Sequence, residues 1–113
     1  MPKRSDALLI KDILENMEAV FEFVGDSSFE AFMSDRQKMY AVERAFEIIG
    51  EAARAVSETT QAAYPLVEWR LMTDFRNLLI HQYFGIDYAI LWSVIKGPLP
   101  FNQEMLQRID ISE

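Results

Sequence analysis

The sequence predicts an all-α protein, an up-and-down bundle of four to five helices. Three observations carry this expectation. Apolar residues recur at steps of three and four along most of the chain. No segment alternates with period two for long enough to argue for a sheet. Capping and stop residues divide the periodic stretches at short intervals, the pattern of helices joined by short connections.

In the first helix, Leu9, Ile13, Met17, Val20 and Val24 form the apolar stripe, with Asp12, Glu15, Glu18 and Glu22 between them. Ser5 or Asp6 can cap its start, and Gly25, Asp26, Ser27 and Ser28 stop it. Phe29, Phe32 and Met33 then make a short apolar patch of about one further turn. A second long helix is expected from about Asp35 to Thr59. Its first stripe is Met39, Val42, Phe46, Ile49, Ala53 and Val56, and a second (Ala41, Ala45, Ile48, Ala52, Ala55) runs beside it. Two stripes imply contacts on two sides, either ordinary bundle core or the seam of a dimer, and periodicity alone does not separate these. Gly50 costs about 1 kcal/mol against Ala in a helix interior, which points to a close backbone approach.

Tyr64 and Pro65 punctuate the next connection. A third helix is expected from Trp69 to about Phe84, with Gly85 as its stop. Asp87 can cap a fourth, running through Trp92, Val94 and Ile95 to Gly97 and Pro98. Pro100 suits the first turn of a last short helix containing Met105, Leu106 and Ile109. Trp69 and Trp92 read as core aromatics.

Composition narrows the chemistry. At 113 residues the chain is expected to form a single domain spanning 1–113. The absence of cysteine excludes disulfides, thiolate zinc sites and Cys nucleophiles. With His81 as the one histidine, a His-rich metal cage is excluded, as is any Ser-His-Asp scheme not built on it. No metal or other cofactor is expected. No apolar run is long enough to span a bilayer, and the N-terminus lacks the pattern of a signal peptide, so the expected location is cytoplasmic with no membrane partner. The formal charge of −7 argues against broad attraction to nucleic acid, DNA included. That charge is unevenly spread. Residues 12–58 hold 11 acids and four bases, and the rest of the chain sums to zero.

The informative stretch lies in that neutral remainder, from Asp74 to Asp87, and contains Arg76, Asn77, His81 and Tyr83. At 100° per residue, Asn77 and His81 share one helical face, and Arg76 and Tyr83 share a neighbouring one. Arg76 and His81 are about 140° apart on an ideal helix, so their head groups meet only through the long arginine, a bend or a second subunit. An arginine, an imidazole, an amide and a phenol suit a phosphodiester. Arginine clamps phosphate oxygens, and histidine moves protons near neutral pH. RNA supplies its own nucleophile, the 2′-hydroxyl, so cleavage without metal needs a base, an acid and charge stabilisation. One histidine per chain gives one proton-transfer group, and a two-fold dimer gives two. The structural alternatives are that His81 is a capping or core residue, that Arg76 pairs with Asp74, Glu68 or an acid of the second helix, and that Tyr83 and Phe84 are core aromatics.

The pattern Arg76-x-x-x-x-His81-x-Tyr83 resembles the motif of the HEPN superfamily, and specifically of HepT-like toxins. The segment Ala41 to Ala52 is similar to the second helix of that group, as are Tyr64-Pro65 followed by Trp69-Arg70, and Tyr83 to Asp87. The resemblance covers about residues 5–110. It implies a homodimeric HEPN-like bundle in which two motifs form one composite cleft, and a metal-independent endoribonuclease belonging to a toxin–antitoxin pair. Arg76 and His81 would carry cleavage, Asn77 would support it, and Tyr83 would contact substrate. The implied partners are RNA and a cognate minimal nucleotidyltransferase antitoxin, which neutralises the toxin by transferring AMP to Tyr83. Two other readings stand beside this one: a non-catalytic module binding a nucleotide or the transferase, and a dimerising scaffold.

Overall fold

A computed structural model of the chain describes residues 4–79 and 85–110, and every described element is helical. The helices are α1 (Asp6–Val24), α2 (Phe29–Met33), α3 (Arg36–Ala55), α4 (Glu58–Ala63), α5 (Trp69–Thr73), α6 (Phe75–Leu79), α7 (Tyr88–Lys96) and α8 (Pro98–Gln107). The architecture is the expected all-α bundle, with short helices added between the long ones. None of the described helices is long and apolar enough to cross a membrane.

Local chemistry explains most boundaries. Ser5 rather than Asp6 caps α1, its hydroxyl accepting from the Leu8 N–H. Ser28 caps α2, Asp35 caps α3, and the Asp87 carboxylate accepts from the N–H groups of Ala89 and Ile90 to start α7. The α1 stop falls at Gly25, whose φ of 54° is open to a residue without Cβ. Gly97 ends α7, and Pro98 takes the first position of α8, with Pro100 in the same turn.

Two expectations need correcting. The second long helix ends at Ala55, not Thr59. Val56 turns extended, and Ser57 caps the separate helix α4 through its hydroxyl. The cause is tertiary: the Asp6 carboxylate accepts from the Ser57 N–H and from the hydroxyls of Ser57 and Thr60, holding this corner against the start of α1. The third helix is likewise discontinuous. It is interrupted at Asp74, whose carbonyl accepts from the N–H groups of Asn77 and Leu78 as α6 begins. The expected end of that helix at Phe84 lies outside the described residues.

The core centres on α1 against α3, the most extensive helix pair, with α5 and α6 also packed on α3 and α8 on α1 and α7. Ile13, Met17, Val20, Val42, Phe46, Ile49, Met72, Phe75, Leu91, Leu99 and Leu106 are all but inaccessible to water. Each such side chain stabilises the fold by about 1.5–3 kcal/mol through burial. The second stripe of α3 is partly absorbed here, since Ala45 and Ala52 are buried in the core of this one chain. Trp69 is buried and donates its indole N–H to the Tyr64 carbonyl. Trp92 is half-buried, packed on Phe29 and Phe32, with the Lys96 ammonium 4.7 Å from its ring centroid.

Candidate functional site

The site begins with how α6 is seated. Phe75 turns inward, its ring 4.8 Å from that of Phe46 on α3. The next residue, Arg76, is rotated about 100° from it and projects to the surface. What allows α6 to lie so close to α3 is Gly50. A Cβ placed there would meet the Met72 carbonyl oxygen at 3.2 Å, and the Arg76 nitrogen and Phe75 Cβ at 3.6 Å. The close backbone approach expected from the sequence is therefore made against the arginine-bearing segment.

Beside Gly50, Glu51 points to the same surface. Its carboxylate lies 3.7 Å from the Arg76 guanidinium, and both side chains are 57% exposed. An acid of the second helix was one expected partner for Arg76, and Glu51 is that acid. Glu68, another candidate, instead accepts from the amide of Asn102, a fully buried side chain whose own oxygen receives the Glu68 N–H. The ion pair is solvated and longer than a hydrogen bond, so it contributes at most about 1 kcal/mol. Arg76 is thus placed but lightly held. Sequence reasoning did not single out Glu51 as a site residue. The available signal was its position next to the one glycine inside the second long helix.

Asn77 is exposed on the next face of α6. There it borders a shallow groove of about 330 Å³ between α5–α6 and α7, lined also by Leu71, Asp74, Leu78, Asp87 and Ile90. His81 and Tyr83 lie outside the described residues, so the structure brings together Arg76 and Glu51, while Asn77 faces the separate groove toward α7. The described chain resumes at Gly85, with φ of 77°, and Ile86 packs on the core. Tyr88 then fixes the start of α7 to α3 by donating its hydroxyl to Glu43 at 2.6 Å. Burial first, and the hydrogen bond to that carboxylate second, push the Tyr88 phenol up to about 12. Among the described residues no three His, Asp or Glu side chains cluster as metal ligands would.

A helical bundle presenting an arginine–asparagine edge from a short helix seated on its longest one fits the HEPN class of all-α domains. Comparison with known proteins makes the assignment more specific. The chain belongs to the HepT-like family, whose model, described as ribonuclease HepT-like, matches residues 13–109. The chain is 43% identical to "Putative RNase MJ1380" of Methanocaldococcus jannaschii over 100 residues, covering 88% of this chain and 92% of that protein. It is 40% identical to "Probable ribonuclease HepT" of Thermococcus cleftensis over 98 residues, covering 87% and 89%. "Putative RNase TTE0752" of Caldanaerobacter subterraneus is 33% identical, covering 88% and 89%. No solved structure gives a significant match.

Proposed function

We propose that this chain is a homodimeric, metal-independent endoribonuclease toxin of a toxin–antitoxin pair. The observation that carries the reading is membership of a ribonuclease family over residues 13–109, a span that includes the whole Arg76-x-x-x-x-His81-x-Tyr83 pattern. The exposed, weakly paired Arg76 supports it, because a guanidinium that must exchange a carboxylate for a phosphate should be held loosely.

In this reading Arg76 binds the scissile phosphate and stabilises the charge that develops on it. His81 transfers a proton, and Asn77 and Tyr83 contact the substrate. Two chains supply two histidines to one cleft. A cognate minimal nucleotidyltransferase silences the toxin by placing AMP on Tyr83, which adds negative charge and bulk where phosphate would sit. The −7 formal charge disfavours indiscriminate RNA binding, while the segment from Asp74 to Asp87 belongs to the half of the chain that is neutral overall.

Cleavage of a synthetic RNA by purified protein tests the reading. Arg76→Ala and His81→Ala should each lower turnover by about 10²-fold or more while leaving the helical circular dichroism spectrum unchanged. Equal turnover by wild type and both variants would remove the enzyme. Light scattering should give a dimer, and incubation with the transferase should add one adenylate to the peptide containing Tyr83.

A further inference from the structure

We propose that the exposed face of α3 around Tyr40 is a stacking subsite for one base of a single-stranded RNA, a few nucleotides along the strand from the phosphate bound by Arg76. The inference rests on the ribonuclease reading above and says where the strand runs beyond the point of cleavage. Tyr40 is the most exposed aromatic side chain among the described residues, at 57%. The Arg36 guanidinium, one turn earlier on α3, lies 5.8 Å from the centroid of its ring. A ring turned to water with a cation beside it offers what a nucleotide needs, a π-face for the base and a positive charge for its phosphate.

Charge on the two longest helices is segregated in a way that suits this. α1 carries five acids against one base, whereas α3 carries four bases against three acids, and those four are all the bases of residues 12–58. The three acids of α3 are each engaged: Glu43 by the Tyr88 hydroxyl, Glu47 by Arg44 and Glu51 by Arg76. At 100° per residue, Arg36, Tyr40, Arg44, Glu47 and Glu51 fall within about 80° of arc, and all five are exposed. Arg76 joins the same stripe through Glu51. Tyr40 and Glu51 are about 16 Å apart along the helix axis, a span that a few nucleotides of extended strand cover. Arg44 lies between them, placed for an intervening phosphate.

Every base has a π-face, so stacking on Tyr40 adds affinity without choosing a sequence. The arrangement also suits a chain with a formal charge of −7. A stripe of arginines on α3 attracts the strand to one lane, while the acidic face of α1 repels it from the other side of the bundle.

Substrate length tests this. An RNA oligonucleotide that the wild type cuts is shortened in steps from each end toward the cut, and kcat/KM is measured at each length. Wild type should show a drop, carried by KM, at one step a few nucleotides from the cut. Tyr40→Ala should remove that step, lowering kcat/KM on the full oligonucleotide by about 5–100-fold, and Tyr40→Trp should keep it. Arg36→Gln should lower the slope of log affinity against log salt by about 0.7, the value of one phosphate contact on a single strand. A Tyr40→Ala protein with the wild-type length dependence overturns the subsite alone. So does one that light scattering shows to have lost its dimer, because the face is then a subunit contact. Wild-type protein that cuts no RNA removes the ribonuclease reading, and fluorescence anisotropy with the same labelled oligonucleotide then decides the subsite separately. Affinity that falls in Tyr40→Ala upholds it, and equal affinity overturns it.

Discussion

Two carboxylates on the two longest helices are used in opposite ways. Asp6, at the start of α1, accepts three hydrogen bonds from Ser57 and Thr60 in a half-buried corner. Glu51, near the end of α3, faces one guanidinium at 3.7 Å in water. The first contact fixes the fold, because buried charge-assisted hydrogen bonds are costly to lose. The second stabilises almost nothing, and for that reason leaves both of its partners available to a ligand. Glu43 falls between them, taking one short hydrogen bond from Tyr88 at the edge of the core.

This ranking can be broken by measurement. The largest expected effect is that of Asp6→Ala, which should destabilise the protein by about 1–3 kcal/mol in urea unfolding, by freeing the α4 cap and leaving its donors unpaired. Tyr88→Phe should cost about 1 kcal/mol at neutral pH, with a distinctive pH dependence. Folding raises the Tyr88 phenol from 10.0 to about 12, so it stabilises the fold fully below pH 10 and loses that contribution as pH rises toward 12. The advantage of wild type over Tyr88→Phe should therefore be flat below pH 10 and decline above it. The smallest effect is expected for Glu51→Gln, whose stability should stay within about 0.5 kcal/mol of wild type. A Glu51 variant as unstable as Asp6→Ala would show that the Arg76 pair is structural.

Much of this was legible from local sequence. The caps at Ser5 and Asp87, the stops at Gly25 and Gly97, and the close approach at Gly50 all follow from what one residue can do in its own turn. What escaped depends on residues far apart in the chain. The end of α3 is set by a carboxylate 51 residues before Ser57, and periodicity carries no trace of that contact. The interruption at Asp74 falls between Met72 and Arg76, whose backbone atoms lie beside Gly50 of α3. The alanine stripe of α3 was readable as apolar, but whether one chain or two would bury it was not, and Ala45 and Ala52 turn out to be covered within the chain. Arg76 and Asn77 were named as candidates from their residue types. Which acid pairs with Arg76 was not legible, because Glu51 meets it from 25 positions earlier in the chain.

The glycine contact also bears on how such a protein can change over time. Where two helices meet through side chains, each core substitution shifts their spacing, and everything mounted on them shifts too. At Gly50 the meeting is largely main chain to main chain, so the backbone spacing beneath Glu51 and Arg76 is set mostly by atoms that every sequence shares. Phe46 adds a side-chain contact to this seating through Phe75, the neighbour of Arg76. Gly50 is the constrained position: one added methyl group would meet the Met72 carbonyl oxygen at 3.2 Å and shift the segment that carries Arg76.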